Sequence, residues 1–386
     1  LQPDLTETMK PNDPRGPHRT AIALVYWGRL GAGAALMTEI ATAMQADPRF
    51  DVFASTSRQS ELPGPLATDR LLAIDTFSSL PSLLLGTMLL PLTVRRLVRK
   101  LTRARVQAIV TVMPHVWGLA LQRAVRRAGI RTLIIVHDAD PHPGERRPLF
   151  DWLVRQEIGE ADRIVTLSSH VADRLLARDA RAAHRLTRLF HPVFRFTAGR
   201  AAEPRPRKPF RLLFFGRILP YKGVPLLLEA YARLRALEMQ VVLQVSGRGD
   251  IAAPRALLRQ AGLYIDQGWV PPEAIGAMLA DADAVVLPYL EASQSGVIAA
   301  AYGAGLPVVA TPVGGLVEQV IDGHTGVIAA DTTASELAGA IGRLIETPGL
   351  YARCRAGVAE QAIAQSPGQF ARALGDAVIA TISGPA

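Results

Sequence analysis

FFGRILPYKGVPLLLEAY, residues 214–231, is the stretch whose reading decides the fold. It begins inside an apolar run, Arg211 to Phe215, that predicts a strand. A loop carrying Gly216, Arg217, Lys222 and Gly223 follows, and Val224 to Leu237 then repeats its apolar residues at helical spacing. Strand, glycine loop and helix in that order belong to a parallel sheet covered by helices. Two cations beside a helix N-terminus suit a diphosphate: arginine binds as a fork, lysine as a point charge, and the first-turn amides donate. The same residues also read as a solvated basic turn. They are not a Walker loop, because the G-x-x-x-x-G-K-[ST] spacing is absent.

The same alternation extends in both directions. Downstream, Val241 to Ser246 predicts a strand, and SGRGD (246–250) follows it with Gly247 positioned for a tight turn. A short edge or turn segment is expected over Asp266 to Val270, and a helix over Pro254 to Ala261. Pro288 to Gly326 is the densest region: a polar loop holds Glu291, Ser295 and Gly296, and a second tight loop holds Gly314 and Gly315, with Glu318 just beyond. Backbone amides there could cradle phosphate or sugar oxygens; a generic loop fits as well. Upstream, Thr20 to Tyr26 predicts a first strand, followed by Gly28, Gly31 and Gly33 and a helix to about Ala46. Arg70 to Ile74 is a further strand candidate, and Thr132 to Val136 a buried strand with His137 and Asp138 at its carboxyl end. Between the halves, RAAEPRPRKP (200–209) has three prolines and reads as a hinge. The expected organisation is a loose tail over 1–19, a lobe over 20–199, a linker over 200–209, a lobe over 210–355, and a helical segment over 356–386 packing back on the first lobe.

Composition bounds the rest. A chain of 386 residues with 49% hydrophobic and 20% charged residues folds as two domains. Its single cysteine, Cys354, excludes an intrachain disulfide and a cysteine-rich zinc site. The net charge of +9 is lopsided: residues 1–205 carry 29 Lys/Arg against 19 Asp/Glu, the remainder 14 against 15. A basic half attracts phosphorylated substrates or an anionic membrane face; no nucleic-acid module is visible. No run of 18 apolar residues predicts a membrane span. Leu83 to Val94 is shorter, and Arg95, Arg96, Arg99, Lys100, Arg103 and Arg105 follow it. This pair suits an anionic membrane surface, or else a core helix leading into a solvated basic one. Trp27, Trp117 and Trp152 read as packing residues. His115, His142 and His191 have no metal-ligand spacing with Asp138 and Asp140.

Taken together, the loop at Gly28–Gly33, IIVHD (134–138), FGRILPYKG (215–223), SGRGD, the Ser293–Gly296 loop, AGLPVVATPVGG (304–315), Glu318 and DGHTG (322–326) resemble the family-four, or group 1, retaining glycosyltransferases over about residues 20–375. The resemblance implies an α/β GT-B fold, two Rossmann-like domains facing across a cleft. It implies that Arg217 and Lys222 clamp the donor diphosphate, and that His137 sits by the donor sugar. Gly31 and Gly33 would line the cleft. Gly216, Gly247, Ser295, Gly296, Gly314 and Gly315 would meet sugar and phosphates, and Trp269 and Val270 the nucleobase, with Glu318 near the last glycine pair or purely structural. The donor would be an NDP-sugar, with no cofactor and no obligatory metal. The acceptor would be lipid-linked or a glycan, in polysaccharide or glycolipid assembly, and the protein cytoplasmic or peripheral on the inner membrane face.

One departure matters. The family's two glutamates, separated by seven residues, fall on Ala292 and Ala300 here, with Glu291 one position early. Alanine cannot hold ribose hydroxyls, so Glu291 is the candidate for a sugar contact. A non-catalytic binding protein of the same fold therefore stands as an alternative, as does a sugar-nucleotide epimerase, which can share this two-domain fold.

Overall fold

The structure, a computed structural model, describes residues 19–29, 31–60, 70–143, 145, 147–196 and 208–384. The expected tail and linker therefore lie almost wholly outside the described residues.

In the first lobe strands and helices alternate: β1 Thr20–Tyr26, α1 Ala32–Gln45, β2 Phe50–Thr56, α2 Leu80–Arg103, β3 Ala108–Thr111, α3 Gly118–Arg127, β4 Arg131–Val136, α4 Pro148–Glu160, β5 Arg163–Thr166, α5 Ser169–Arg178 and β6 Leu186–Arg188. The second lobe has β7 Phe210–Phe215, α6 Val224–Ala236, β8 Val241–Ser246, α7 Arg255–Leu258, β9 Leu263–Asp266, α8 Pro272–Asp281, β10 Ala284–Leu287, α9 Gly296–Gly303, β11 Val308–Ala310, α10 Leu316–Gln319, β12 Gly326–Ile328, α11 Ala334–Glu346, α12 Leu350–Ala364 and α13 Pro367–Ser383. Each lobe is built on one six-stranded sheet. The orders are β2-β1-β3-β4-β5-β6 and β12-β11-β10-β7-β8-β9, and every pairing is parallel.

The strands read as unbroken apolar runs because both of their faces are covered. On β1, Ile22, Leu24 and Tyr26 share a core with Leu36, Met37 and Ile40 of α1 and with Phe370 and Leu374 of α13. The alternate residues Ala21, Ala23 and Val25 join Leu97 and Leu101 of α2 and Leu121 and Val125 of α3. Each large side chain so buried contributes on the order of 1.5–3 kcal/mol. The chain's last helix returns to the first lobe. Arg49 pairs with Asp376 at 2.5 Å, Arg163 Nε donates to Thr381 Oγ1 at 2.6 Å, and Arg131 donates to the Gly384 carbonyl at 2.8 Å.

Several local expectations change. Arg70 to Ile74 makes only isolated bridges, at Leu71 and Ile74. The edge strand of the second sheet is β9, ending at Asp266 rather than starting there, and the helix expected over 254–261 shortens to one turn. The helix α4 had no prior signal beyond Pro148 at its first turn. On it Trp152, read as a packing residue, is 51% exposed.

One acid in α4 is buried with no side-chain partner among the described residues, and only the His115 backbone nearby favours its charged form. Glu157 is 1% exposed, and neither carboxyl oxygen has a hydrogen-bond partner among the described residues. Its carboxyl lies so close to Gly118 that a Cβ there would collide with it. Burial pushes the carboxyl up to about 8. The folded protein therefore holds this proton at pH values where an unfolded chain, ionising near 4.5, has lost it. The stabilising effect is full below about pH 4.5 and is lost as pH rises through about 8. At ~1.4 kcal/mol per unit, the loss is bounded at roughly 4–5 kcal/mol. Urea titrations at several pH values should show the wild type weakening toward pH 9 and Glu157→Gln much less so; parallel pH profiles for the two proteins would refute the assignment.

Candidate active site between the lobes

Open parallel sheets bind ligands at their carboxyl edges, where the strand order reverses. The reversals fall between β1 and β3 in one sheet and between β7 and β10 in the other. The loop after β7 carries Arg217 and Lys222, and the loop after β10 carries Glu291 and Ser295. Side-chain contacts tie both to the loop after β4, which carries His137, Asp138, His142 and Glu145, so the carboxyl edges of the two sheets face each other.

The second-lobe side is a nest of close backbone crossings. Gly223 ends the β7 loop in the left-handed region (φ 64°), and a Cβ there would run into the Pro288 carbonyl. A Cβ on Gly247 would meet the Gly216 carbonyl in the same way. These glycines are what let the loops after β7, β8 and β10 touch. Lys222 Nζ lies 3.7 Å from the centre of the Tyr289 ring and 5.1 Å from that of Tyr221, a cation held over aromatic faces. The Arg217 guanidinium meets Glu145 Oε1 of the first lobe at 2.5 Å. Burial works against its charge, but the Glu145 hydrogen bond, Tyr221 and the charges of Glu145 and Asp138 together outweigh it and raise the pKa.

His137 is buried at the end of β4, and both ring nitrogens are engaged. Nε2 lies 3.0 Å from the Val112 carbonyl, and Nδ1 lies 3.0 Å from the amide nitrogen of Gln294 in the other lobe. A carbonyl only accepts, so Nε2 carries the hydrogen and Nδ1 is the acceptor. Burial lowers the pKa against the opposing charge of Asp138, which keeps the ring neutral. The Gln294 Oε1 is buried and has no partner among the described residues.

His142 has the opposite character. Nε2 is 3.2 Å from Asp138, Nδ1 is 3.6 Å from Glu291 of the other lobe, and the ring stacks on Tyr221 at 4.4 Å. Burial disfavours its charge, yet the Asp138 hydrogen bond and charge prevail and the pKa is raised; Lys222 opposes and Glu291 assists. Asp138 in turn is lowered, its own burial outweighed by His142 and by the Ser293 hydroxyl.

The remaining predicted residues take varied places. Ser295 caps α9, its Oγ accepting from Val297 N at 3.3 Å, while its own N–H donates to Gln319 Oε1 at 2.7 Å. Gly314 and Gly315 pack against the carbonyls of Ala292 and Ser293, too closely for a side chain. Gly31 opens α1 at φ 92°, and Gly33 is buried against the Tyr26 ring. Trp269 is exposed and Val270 half-buried in the turn after β9, and neither touches the residues above in any described contact. Glu318, expected near the last glycine pair or as a structural residue, crosses the cleft: its two oxygens accept from the amides of Ser169 and His170, each at 2.6 Å, at the start of α5. Alongside it, the Ser168 hydroxyl donates to the Ser293 carbonyl at 3.2 Å. His191 is buried. Among the described residues no cluster of three His, Cys, Asp or Glu is placed to hold a metal ion. Gln294 and Glu145 went unread in the sequence, although Gln294 lies inside the Ser293–Gly296 loop and Glu145 stands three residues after His142.

Comparison with known proteins follows the same division into lobes. Residues 209–347 match the family described as "Glycosyl transferases group 1", and residues 31–188 match "Glycosyl transferase 4-like domain". A D-inositol 3-phosphate glycosyltransferase of Arthrobacter sp. (strain FB24) is 29% identical over 253 residues, covering 61% of this chain and 59% of that protein. The chain thus matches less than two thirds of that relative's length. Among solved structures, sucrose-phosphate synthase from Thermosynechococcus elongatus superposes with a TM-score of 0.69 at 17% identity, covering 93% of this chain and 98% of its own. Anabaena HepE, solved with UDP and glucose, gives 0.66 at 16% identity, covering 94% and 100%. At these identities the likeness is one of fold, two parallel α/β lobes of the GT-B type.

Because Glu318 caps a helix of the opposite lobe, its removal acts on α5 from a distance in sequence. Glu318→Ala should cost about 1 kcal/mol at this cap and speed hydrogen exchange at the Ser169 and His170 amides, with α6 unchanged as the internal control. Unaltered exchange at those two amides would show that the lobes do not meet there in solution.

Proposed function

We propose, from the premise that this chain belongs to the group 1 glycosyltransferases, that it moves a hexosyl unit from an NDP-sugar to an acceptor hydroxyl with retention of anomeric configuration. The observation that carries the reading is the opposition of Arg217 and Lys222, on the β7 loop, to the His137 loop across the cleft. A donor diphosphate takes the place that the Glu145 carboxylate holds on Arg217, exchanging one anion for another. Lys222, held over Tyr289, supplies the second positive charge.

As the bond between sugar and phosphate breaks, negative charge grows on the leaving diphosphate. Fixed cations in a water-poor cleft act most strongly at that moment. The departing phosphate oxygen takes the acceptor's proton on the same face of the sugar, which preserves configuration without an enzyme nucleophile. His137 is neutral and its only N–H is tied to Val112, so it accepts from a sugar hydroxyl at Nδ1 rather than delivering a proton. Gln294 must release Nδ1 for this contact to form. No resident cofactor or metal is assigned, and the nucleotide-sugar is substrate. The HepE structure with UDP and glucose supports the choice of donor class. The acceptor is lipid-linked or a glycan, in polysaccharide or glycolipid assembly on the cytoplasmic side of the membrane.

Ala300, buried on α9 where a glutamate would hold ribose, favours a second reading, a nucleotide-sugar-binding protein without transfer. Screening UDP-, GDP- and ADP-hexoses for binding and slow hydrolysis separates the two. With the donor so found, Arg217→Ala and Lys222→Ala should each lower kcat by roughly 10²–10³, or ~2.7–4 kcal/mol, with unchanged thermal midpoints. Binding without turnover of any donor supports the second reading, and full turnover by both variants rules out the diphosphate clamp.

A further inference from the structure

The helix α2 carries a surface that the cleft does not explain. A Ser79–Ser82 capping box opens it, and it runs unbroken through Pro91 to Arg103. The sequence alone left it as a core helix or a membrane-surface one, and burial excludes the first. Only Val94, Leu97 and Leu101 are buried, whereas Leu84 is 68%, Met88 79% and Leu92 54% exposed, with Leu80, Leu85 and Leu89 exposed beside them. At 3.6 residues per turn, Leu84, Leu85, Met88 and Leu92 continue into Arg95, Arg96, Arg99 and Arg103 along one stripe. The stripe is apolar for its first half and cationic for its second. None of these cations, nor Lys100, has an ion pair among the described residues.

By length and composition α2 could cross a membrane, but its packing argues otherwise. The stretch free of charge, Leu80 to Val94, covers about 22 Å at ~1.5 Å per residue, short of a ~30 Å hydrocarbon core. The second half is fastened to the sheet by its three buried residues. The first half is fastened by Trp117, whose indole Nε1 donates to Thr87 Oγ1 at 3.0 Å and whose six-membered ring edge lies where a Cβ on Gly86 would fall. The helix is therefore held fixed on the lobe, a placement that suits lying along a bilayer surface rather than crossing it.

Its direction fixes what faces the lipid. The helix runs against the parallel strands, so its apolar end stands at their carboxyl edge, on the rim of the cleft. Phe77, just ahead of the cap, packs on His115 and Trp117 of the β3 loop, and Arg29 of the β1 loop donates to the Phe77 carbonyl at 3.4 Å. The helix α4 also enters from that edge and exposes Leu149 and Trp152 in its first turns; tryptophan favours the membrane interface.

We propose that α2 docks the protein on an anionic lipid bilayer, with Leu84, Leu85, Met88 and Leu92 in the acyl boundary, the arginines on lipid phosphates and the cleft rim turned to the lipid. The complementarity is of charge as well as polarity, since the first half of the chain is strongly basic. Resting on the transferase reading above, the geometry further assigns the acceptor class: an amphiphile that presents its hydroxyl from the bilayer into the cleft.

Co-sedimentation of the full chain with phosphatidylcholine vesicles, with and without phosphatidylglycerol, tests this without any catalysis. Wild type should pellet with the anionic vesicles and be released by salt. Arg95→Ser/Arg96→Ser/Arg99→Ser should lose that preference by roughly tenfold or more, and Leu84→Glu/Met88→Glu should lose binding to both vesicle types. Both variants should keep wild-type donor hydrolysis in vesicle-free buffer. A wild type that stays in the supernatant with anionic vesicles, or variants that pellet like it, would overturn the proposal. So would self-association of the free protein that Leu84→Glu/Met88→Glu abolishes without any vesicle binding, which would give the face to a second copy. Vesicle binding without donor turnover would leave docking standing and remove the transferase reading instead.

Discussion

A parallel strand covered on both faces has only its ends left to meet a ligand. Ile22, Leu24 and Tyr26 go to one helix layer and Ala21, Ala23 and Val25 to the other, so β1 offers nothing from its length. The second sheet repeats the constraint with Leu212 to Phe215 on β7. Polar chemistry is thereby pushed into the loops at the carboxyl edges, where backbone groups are not consumed by the ladder. Two such sheets in one chain create a functional site only if those edges face each other. The contacts Glu145–Arg217, Gln294–His137 and Glu318–α5 are the physical form of that facing.

The cleft is organised as opposite charges drawn from opposite lobes. Arg217 meets a carboxylate from the β4 loop, His142 meets one carboxylate from its own lobe and one from the other, and the α5 amides meet Glu318. An anionic ligand entering this space competes with carboxylates already in place. Such a ligand would also disturb the bonds that join the lobes. The two histidines illustrate how local surroundings divide labour within one loop. Burial against carbonyl and amide leaves His137 neutral, whereas flanking carboxylates favour the charged form of His142 five residues later.

Much of this was legible because it depends on short-range rules. Glycine spacing marked the crossings at Gly216, Gly223, Gly314 and Gly315, where a Cβ or an ordinary φ does not fit. Apolar runs marked the buried strands, and the cations of the β7 loop stood out against a helix start. What remained hidden depends on distant partners. Nothing in GGLVEQ tells a reader that the Glu318 carboxylate caps a helix some 150 positions earlier. The role of Gln294 follows only from the tautomer of His137, which Val112 fixes from a third strand. In the same way α4 was missed because its apolar residues include exposed ones, Leu149 and Trp152, which blur the helical period.

The exposed stripe of α2 belongs to the same logic rather than standing apart from it. In this architecture a helix between successive parallel strands must run back across the sheet, so each connecting helix begins at the rim where the ligand loops lie. A helix whose first half is apolar outward therefore places its apolar surface beside the cleft, and one whose second half is basic places its charge away from it. The order of the two halves in the sequence thus decides whether a lipid surface would meet the open or the closed end of the lobe. Trp117 joins the arrangement together: it starts α3, supports Gly86 and Thr87 of α2, and packs with His115 at the end of β3. The outer face of α2 is thus joined to the wall of the cleft by a continuous set of packed aromatic rings, Phe77, His115 and Trp117.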